Sequence, residues 1–402
     1  MKLKARYHEE MVYLANSPFQ YLFTRGTRFF GKSIWVPGVS YFVNDPFIAK
    51  EALKDTEHFS SSHTGSVGEL ISDLMGKESQ ALFNMQGDAH HKFKFELLAI
   101  FQPEFIEPMV SQALDEEVSN ITKQLKQGKE VDMSAFIKRC TARMTCQMLG
   151  ITAKDKQYLA TLPKIAELSD KITSYISIAT YKLSEEEWAT ARSYYEEFTD
   201  IVKRYYDKPT ANKMSVMAQL KDRDFSFDDS KALLAVLMIA GTETVSASLP
   251  RIIAMLIDDG QWEYLAANKE LLNGAIDEGL RLTSPSPMVL HSVTQDFTID
   301  GCKFKKDRRM LVVLVNILKN PRYFPKPFKY DIHREQDPKL RSFWFAAGPH
   351  FCLGSELAKK ELRTIIGSLL EIKGKPVITS RAYGRGSSFP GYKTLKLKYE
   401  RD

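Results

Sequence analysis

The four cysteines, Cys140, Cys146, Cys302 and Cys352, form no CxxC pair and no CxxCH. Zinc ribbons, thioredoxin-type centres and covalently attached c-type haem are excluded on that count. Four scattered cysteines among 402 residues suit a reducing cytosol better than a disulfide framework. Charge of one sign is scarce as well. The 56 basic and 50 acidic residues leave a net +6, with no run of like charges to serve as a nucleic-acid tail. Behind the first basic residues, MKLKARYHEEMVY, no continuous apolar stretch follows, so no signal peptide is expected. The longest apolar run, near Leu233 to Gly241, falls far short of the ~20 residues of a membrane span. Repeats, low-complexity linkers and breaks in composition are absent too. These absences predict a monomeric cytoplasmic protein, one domain over residues 1–402, with neither nucleic acid nor membrane as partner.

What is present reads as mainly α with small β-sheets. Ser33 to Asp45 predicts two short strands around the turn dipeptide Pro37-Gly38. Helical patterns dominate from about Pro46 to Leu282. Strands are expected again at Phe297 to Ile299, at Met310 to Val315 and in the alternating KTLKLKYE near the end.

One helix breaks its own pattern. Ser226 precedes Asp229 by three residues, a helix-start signature. The stretch from about Phe227 to Ile257 is apolar on nearly all sides, as in a buried helix. Yet Gly241, Thr242, Glu243 and Thr244 interrupt it. Glycine inside a helix costs about 1 kcal/mol against alanine, and a buried carboxylate costs more. Such a polar notch demands a use.

A second feature lies at FAAGPHFCLG, residues 345–354, ahead of an amphipathic helix from Ser355 to about Ile372. Cys352 thus stands at a helix entrance, where free N–H groups and the helix dipole favour a thiolate. Gly348 and Gly354 allow tight turning and close approach to a flat ligand. The order Phe345, Gly348, His350, Cys352, Gly354 resembles the haem-binding loop of the cytochrome P450 superfamily, in its soluble bacterial form. Ala346 replaces a glycine common in that loop, which reads as a minor change.

The resemblance covers nearly the whole chain and carries further expectations. It implies haem b lying between the long helix and the cysteine-loop helix, with Cys352 as proximal iron ligand, the thiolate favouring O–O cleavage. Ala240, Gly241, Glu243 and Thr244 match the oxygen-activation motif, Gly241 leaving room for dioxygen and the acid–alcohol pair supplying protons. Val245 stands where many members carry a second hydroxyl. Glu278 and Arg281, with Arg334 in DIHRE, match the family's structural Glu–Arg–Arg cluster. His90, Lys94, His291 and His350 are the expected propionate partners, Lys94 and His291 each replacing an arginine. Lysine brings charge but no planar fork. Substrate contacts are expected from Ser60 to Leu82, from Ile165 to Tyr181, at Met238 and Ala240, at Met288, Val289 and Leu290, and from Phe389 to Tyr392. Monooxygenation of a largely apolar small molecule follows, with electrons from a ferredoxin or flavodoxin docked near Lys359, Lys360 and Arg363. A peroxide-driven peroxygenase and a non-enzymatic haem sensor or carrier are the alternatives.

Overall fold

A computed structural model describes residues 5–61, 82, 85–152, 158–175, 183–208, 212–335 and 337–400. The chain opens with α1 (Ala5–Asn16) and α2 (Pro18–Gly26), then β1 (Ser33–Val36), β2 (Ser40–Val43), α3 (Pro46–Lys54) and β3 (Phe59–Ser60). A helical block follows: α4 (Gly87–Leu98), α5 (Pro103–Lys126), β4 (Val131–Asp132), α6 (Met133–Leu149), α7 (Tyr158–Ser174), α8 (Glu185–Asp207), α9 (Val216–Lys221), α10 (Phe227–Asp258), α11 (Trp262–Ala267) and α12 (Leu272–Leu282). The last quarter holds β5 (Val289–Val293), β6 (Phe297–Ile299), β7 (Cys302–Phe304), β8 (Arg309–Val312), α13 (Leu314–Ile317), α14 (Ser355–Leu370), β9 (Lys375–Tyr383) and β10 (Tyr392–Glu400).

Local chemistry sets many of these boundaries. Asp45 accepts from the Phe47 and Ile48 N–H groups and Pro46 opens α3. Asp132 does the same for α6, which stops at Gly150 in the left-handed region. Ser184 and Glu187 form a reciprocal capping box on α8. At α10 the Ser226 hydroxyl accepts from the Asp229 N–H and donates to its carboxylate, so the helix begins where the sequence placed it.

Among the described residues α10 is the one helix long and apolar enough to cross a membrane, but 67% of its apolar window is buried inside the protein. It packs on α6, α7, α8 and α12, while α14 packs on α5 and α12. A five-stranded sheet, ordered β1-β2-β8-β5-β3, sits to one side of this helical mass, and β4-β10-β9 and β6-β7 are separate. Most pairs are antiparallel; β2 and β8 run parallel, Tyr41 opposite Met310.

The strand expected over Met310 to Val315 ends at Val312 instead. Leu314–Ile317 turn into a short helix. Its backbone has specific partners: Val313 donates to the Val43 carbonyl and Val315 to the Pro287 carbonyl. Tertiary hydrogen bonds override the β-branched propensity of this run.

Candidate active site

The notch in α10 faces the cysteine loop across a cavity of about 1530 Å³. Leu233, Val236, Leu237, Ala240, Gly241, Thr244 and Ser248 line one wall at helical spacing, with Met148, Pro285 and Val289 beside them. The opposite wall is the loop from Trp344 to Gly354 and one face of α14. Cys352 is exposed on the cavity surface.

That wall is tightly built. The Cys352 N–H donates to the Phe345 carbonyl at 3.0 Å. Lys94 of α4 brackets the cysteine, its Nζ donating to the carbonyls of Pro349 and Phe351 at 2.5 and 2.6 Å. Gly348 has φ +69°, and a Cβ there would lie 2.3 Å from the Leu53 carbonyl oxygen, so this glycine seats the loop on α3. Gly241 and Gly354, by contrast, face open space: a Cβ at either would meet nothing within 4 Å.

Two expectations about the loop need correction. The helix entrance does not depress the Cys352 thiol. Burial raises its pKa, and the Gly354 N–H and the Lys94 charge only partly offset this. A cation bound to sulfur is what would make it a thiolate. Ala346 is also more than a minor change. It sits at φ 67°, ψ −160°, a region proper to glycine.

On the α10 wall, Thr244 donates its hydroxyl proton to the Ala240 carbonyl at 2.5 Å, one turn back, leaving the oxygen free as acceptor. Glu243 points the other way, toward α7. Burial, then the neighbouring Asp170, push its carboxyl up to about 7, against the opposing Lys138 charge and hydrogen bonds from Ser169 and Thr173. Thr242 and Ser169 join the two helices at 2.7 Å.

At one end of the cavity three imidazoles gather. The His90 and His350 rings lie 4.2 Å apart, and His350 Nε2 is 3.2 Å from Ser61 Oγ, which accepts from Gln86. His291 is buried with no partner for Nδ1. Burial lowers all three, helped at His90 by Lys94 and His91 and at His350 by His90, His291 and Lys94: His90 and His291 fall to about 4, His350 to about 3. Four basic or imidazole groups gathered with no acid paired to them among the described residues call for an anion.

Behind the loop, Glu278 accepts from both Arg281 and Arg334 at 2.7–2.9 Å. Arg281 also donates to the Leu318 and Pro327 carbonyls and Arg334 to Pro325. The cluster ties the 318–334 segment to α12.

Of the expected substrate contacts, Val289, Ala240 and Leu82 line the cavity. Met288 and Leu290 do not: alternation along β5 turns them to the opposite face of the sheet, into a smaller apolar cluster. Met288 and Pro390 instead line a second cavity of about 790 Å³, bounded by α1, α2 and the 386–390 turn. Met238 and Ile165 are core, and Tyr392 is buried on β10. Residues 62–81 and 176–181 lie outside the described residues.

One group that the sequence reading missed lines the cavity. Glu361 on α14 is buried, and desolvation pushes it up to about 8. The signal was available: a carboxylate on the apolar stripe of an amphipathic helix, between Leu357 and Ile365.

A slot walled by a notched apolar helix and a cysteine at a helix entrance, with Lys94 and imidazole donors at one end, defines a haem-thiolate protein. The chain belongs to the cytochrome P450 family: the family model described as "Cytochrome P450" matches residues 32–263 and 265–372. It is 24% identical over 369 residues to the putative cytochrome P450 YjiB of Bacillus subtilis, spanning 87% of this chain and 86% of that protein. It is 27% identical over 283 residues to 20-oxo-5-O-mycaminosyltylactone 23-monooxygenase of Streptomyces fradiae, spanning 67% and 63%. In structure it resembles P450BioI, solved with an acyl carrier protein ligated to hexadec-9Z-enoic acid. The TM-score is 0.81 at 19% identity, over 98% of this chain and 99% of that one. The chain is therefore an oxidoreductase, a haem-thiolate monooxygenase whose cofactor is haem b held by a cysteine–iron bond.

The residues present fit that group. The open space at Gly241 and Gly354, the unpartnered His291 Nδ1 and the basic cluster with no paired acid among the described residues are what a planar dianionic ligand requires.

Proposed function

We propose that Cys352 is the iron ligand, that His90, Lys94, His291 and His350 hold the propionates, and that the substrate is a largely apolar small molecule. The observation that carries the substrate class is the α10 wall. Leu233, Val236 and Leu237, with Val289 beside them, present hydrocarbon to the cavity, and on this wall Thr244 and Ser248 supply the hydroxyls. Bound haem supplies the activation of dioxygen, one atom going to substrate and the other leaving as water.

The chain's own groups then manage position and protons. The apolar wall excludes water and orients the substrate. Glu243, with its carboxyl near 7, is a proton store at neutral pH. It faces α7, so a swing of its side chain, or a bridging water, passes the proton to the Thr244 hydroxyl oxygen. Thr244 in turn must release the Ala240 carbonyl to donate onward.

Electrons come from a separate ferredoxin or flavodoxin. Lys359 and Lys360 are half-occupied as a docking face, Lys359 standing 3.6 Å from Asp277 and Lys360 pairing with Glu107. Among the described residues Arg363, half-buried, has no such ion pair, which favours it as the docking contact.

A library of apolar and polar small molecules, screened for Soret shifts and then for oxidised product, tests the reading. Apolar compounds should give the hits; exclusively polar or charged hits would overturn it. With a hit in hand, product per electron pair should fall as pH rises through about 7, because the Glu243 carboxyl loses its proton. Glu243→Gln should start low and stay flat across that range. An unchanged profile in the variant removes Glu243 from the proton path.

A further inference from the structure

The first helices carry apolar surface that the haem chemistry does not use. On α2, Phe19, Leu22 and Phe23 fall at i, i+3 and i+4 and share one face. That face is in solvent, the three being 83%, 61% and 40% exposed. Just beyond the helix, Phe29 and Phe30 are 76% and 70% exposed. Five of the twelve large apolar side chains exposed among the described residues therefore lie between positions 19 and 30. Clustered apolar surface of this kind marks an interaction site, whereas isolated exposed residues do not.

The patch is held rigidly. The Phe19 and Phe23 rings stack at 6.3 Å, and Phe23 meets Phe42 of β2 edge-on at 5.5 Å. The opposite face of α2 is anchored: Tyr21 and Thr24 are buried, and Arg25 donates to the Val315 carbonyl and Asn316 Oδ1 at 2.9 and 2.8 Å. The phenylalanines cannot turn inward without breaking these bonds.

The charge around them has one sign. Between residues 5 and 32 the exposed charged side chains are Arg6, Arg28 and Lys32. Both carboxylates of this stretch are occupied inside the protein, Glu9 with Arg251 and Glu10 with Tyr21. Arg28 lies 4.7 Å over the Phe29 ring. Lys32 pairs with the exposed Asp300, so Arg6 and Arg28 are the exposed cations of this stretch without an ion pair among the described residues.

We propose that this face docks on the surface of an anionic phospholipid bilayer. Phenylalanine and leucine entering the headgroup region, with arginine and lysine stems reaching the phosphates, match the chemistry of both halves of the patch. A second copy of the chain fits less well, because a two-fold contact sets Arg28 and Lys32 against themselves. The expectation of no membrane partner rested on the lack of a spanning run, and a face-on contact needs none. Gln20, Tyr21 and Thr24 on the inner side of α2 line the second cavity. For an apolar substrate, a point that rests on the function proposed above, docking would bring this cavity close to lipid; the docking itself stands without it.

The test is co-sedimentation of the haem-loaded full chain with vesicles of phosphatidylcholine alone or mixed equally with phosphatidylglycerol. Wild type should pellet with the anionic vesicles at low salt and stay free of the neutral ones. Phe19→Ser/Phe30→Ser should weaken partition by at least about tenfold, from the apolar area lost. Arg28→Glu/Lys32→Glu should abolish the anionic preference. Leu159→Ser, an exposed apolar change on α7, should leave binding unchanged. Each variant is checked for an unaltered carbon monoxide spectrum, so that misfolding is recognised. Wild type that ignores anionic vesicles, or a Phe19→Ser/Phe30→Ser protein that binds like wild type, overturns the proposal. So does a wild-type dimer that the same double variant converts to monomer, which would assign the face to a second copy.

Discussion

Ala346 holds a backbone conformation in which a methyl group is a burden. At φ 67°, ψ −160° a residue with a Cβ is strained by about 1–3 kcal/mol. Glycine would relieve the strain but lose about 0.5–1 kcal/mol through its freer unfolded chain. Ala346→Gly should therefore stabilise the protein by about 1 kcal/mol, seen as a higher urea midpoint at unchanged slope. A lower midpoint would mean that the loop needs the methyl. The contrast with Gly348 is instructive. There the left-handed φ and the Leu53 backbone together forbid any side chain. Both positions stood out in the sequence, as a missing glycine and as a retained one. Their dihedrals did not, because φ at a loop residue is set by what the loop leans on. The buried histidines illustrate the same limit. His291 lies on β5, a strand that the sequence reading did not place, and its unpartnered Nδ1 follows from the packing of β5 on β8 and from alternation that sends Val289 and His291 to one face.

At the scale of elements, α4 and the cysteine loop act as one unit through Lys94. The ammonium bonds to the Pro349 and Phe351 carbonyls just ahead of Cys352, so it does more than offer charge to a propionate. Lys94→Met should let the loop loosen. The long-wavelength Soret band of the reduced carbon monoxide complex should decay several-fold faster than in wild type, and Lys94→Arg should restore part of the difference. The decisive arm uses haem with esterified propionates. A loop clamp keeps its effect there; an effect that vanishes on esterification would make Lys94 a propionate ligand alone. The existence of α10 was legible because its Ser226 cap and its long apolar run agree, and that of α14 because its apolar residues recur on one face. The short helix at Leu314–Ile317 was not, since valines that favour a strand are held by long-range bonds to Val43 and Pro287. Nor was the buried cluster in which Arg251 of α10 grips Glu9 and Tyr13 of α1. These partners lie more than two hundred residues apart, and nothing local announces the pairing.

At the scale of the molecule, the helical mass supplies both walls of the slot, and the sheet supplies its edge through Val289 and His291. The Glu278 cluster ties the chain leading into the cysteine loop to α12. The family resemblance carried by the motifs, in their order along the chain, implied this arrangement; periodicity alone placed the long helix and the helix after Cys352 but not how they face each other. The second cavity and the exposed phenylalanine face could not be foreseen, since both arise where α1, α2 and the 386–390 turn meet. The central claim is that Cys352 ties the iron to this fold, and its most direct measurement is the Soret band of the reduced protein with carbon monoxide. Wild type should show the long-wavelength band of thiolate ligation, and Cys352→Ser should lose it while keeping its helical far-ultraviolet signal. A histidine-type band in active wild type, or a long-wavelength band that survives in Cys352→Ser, would contradict the account.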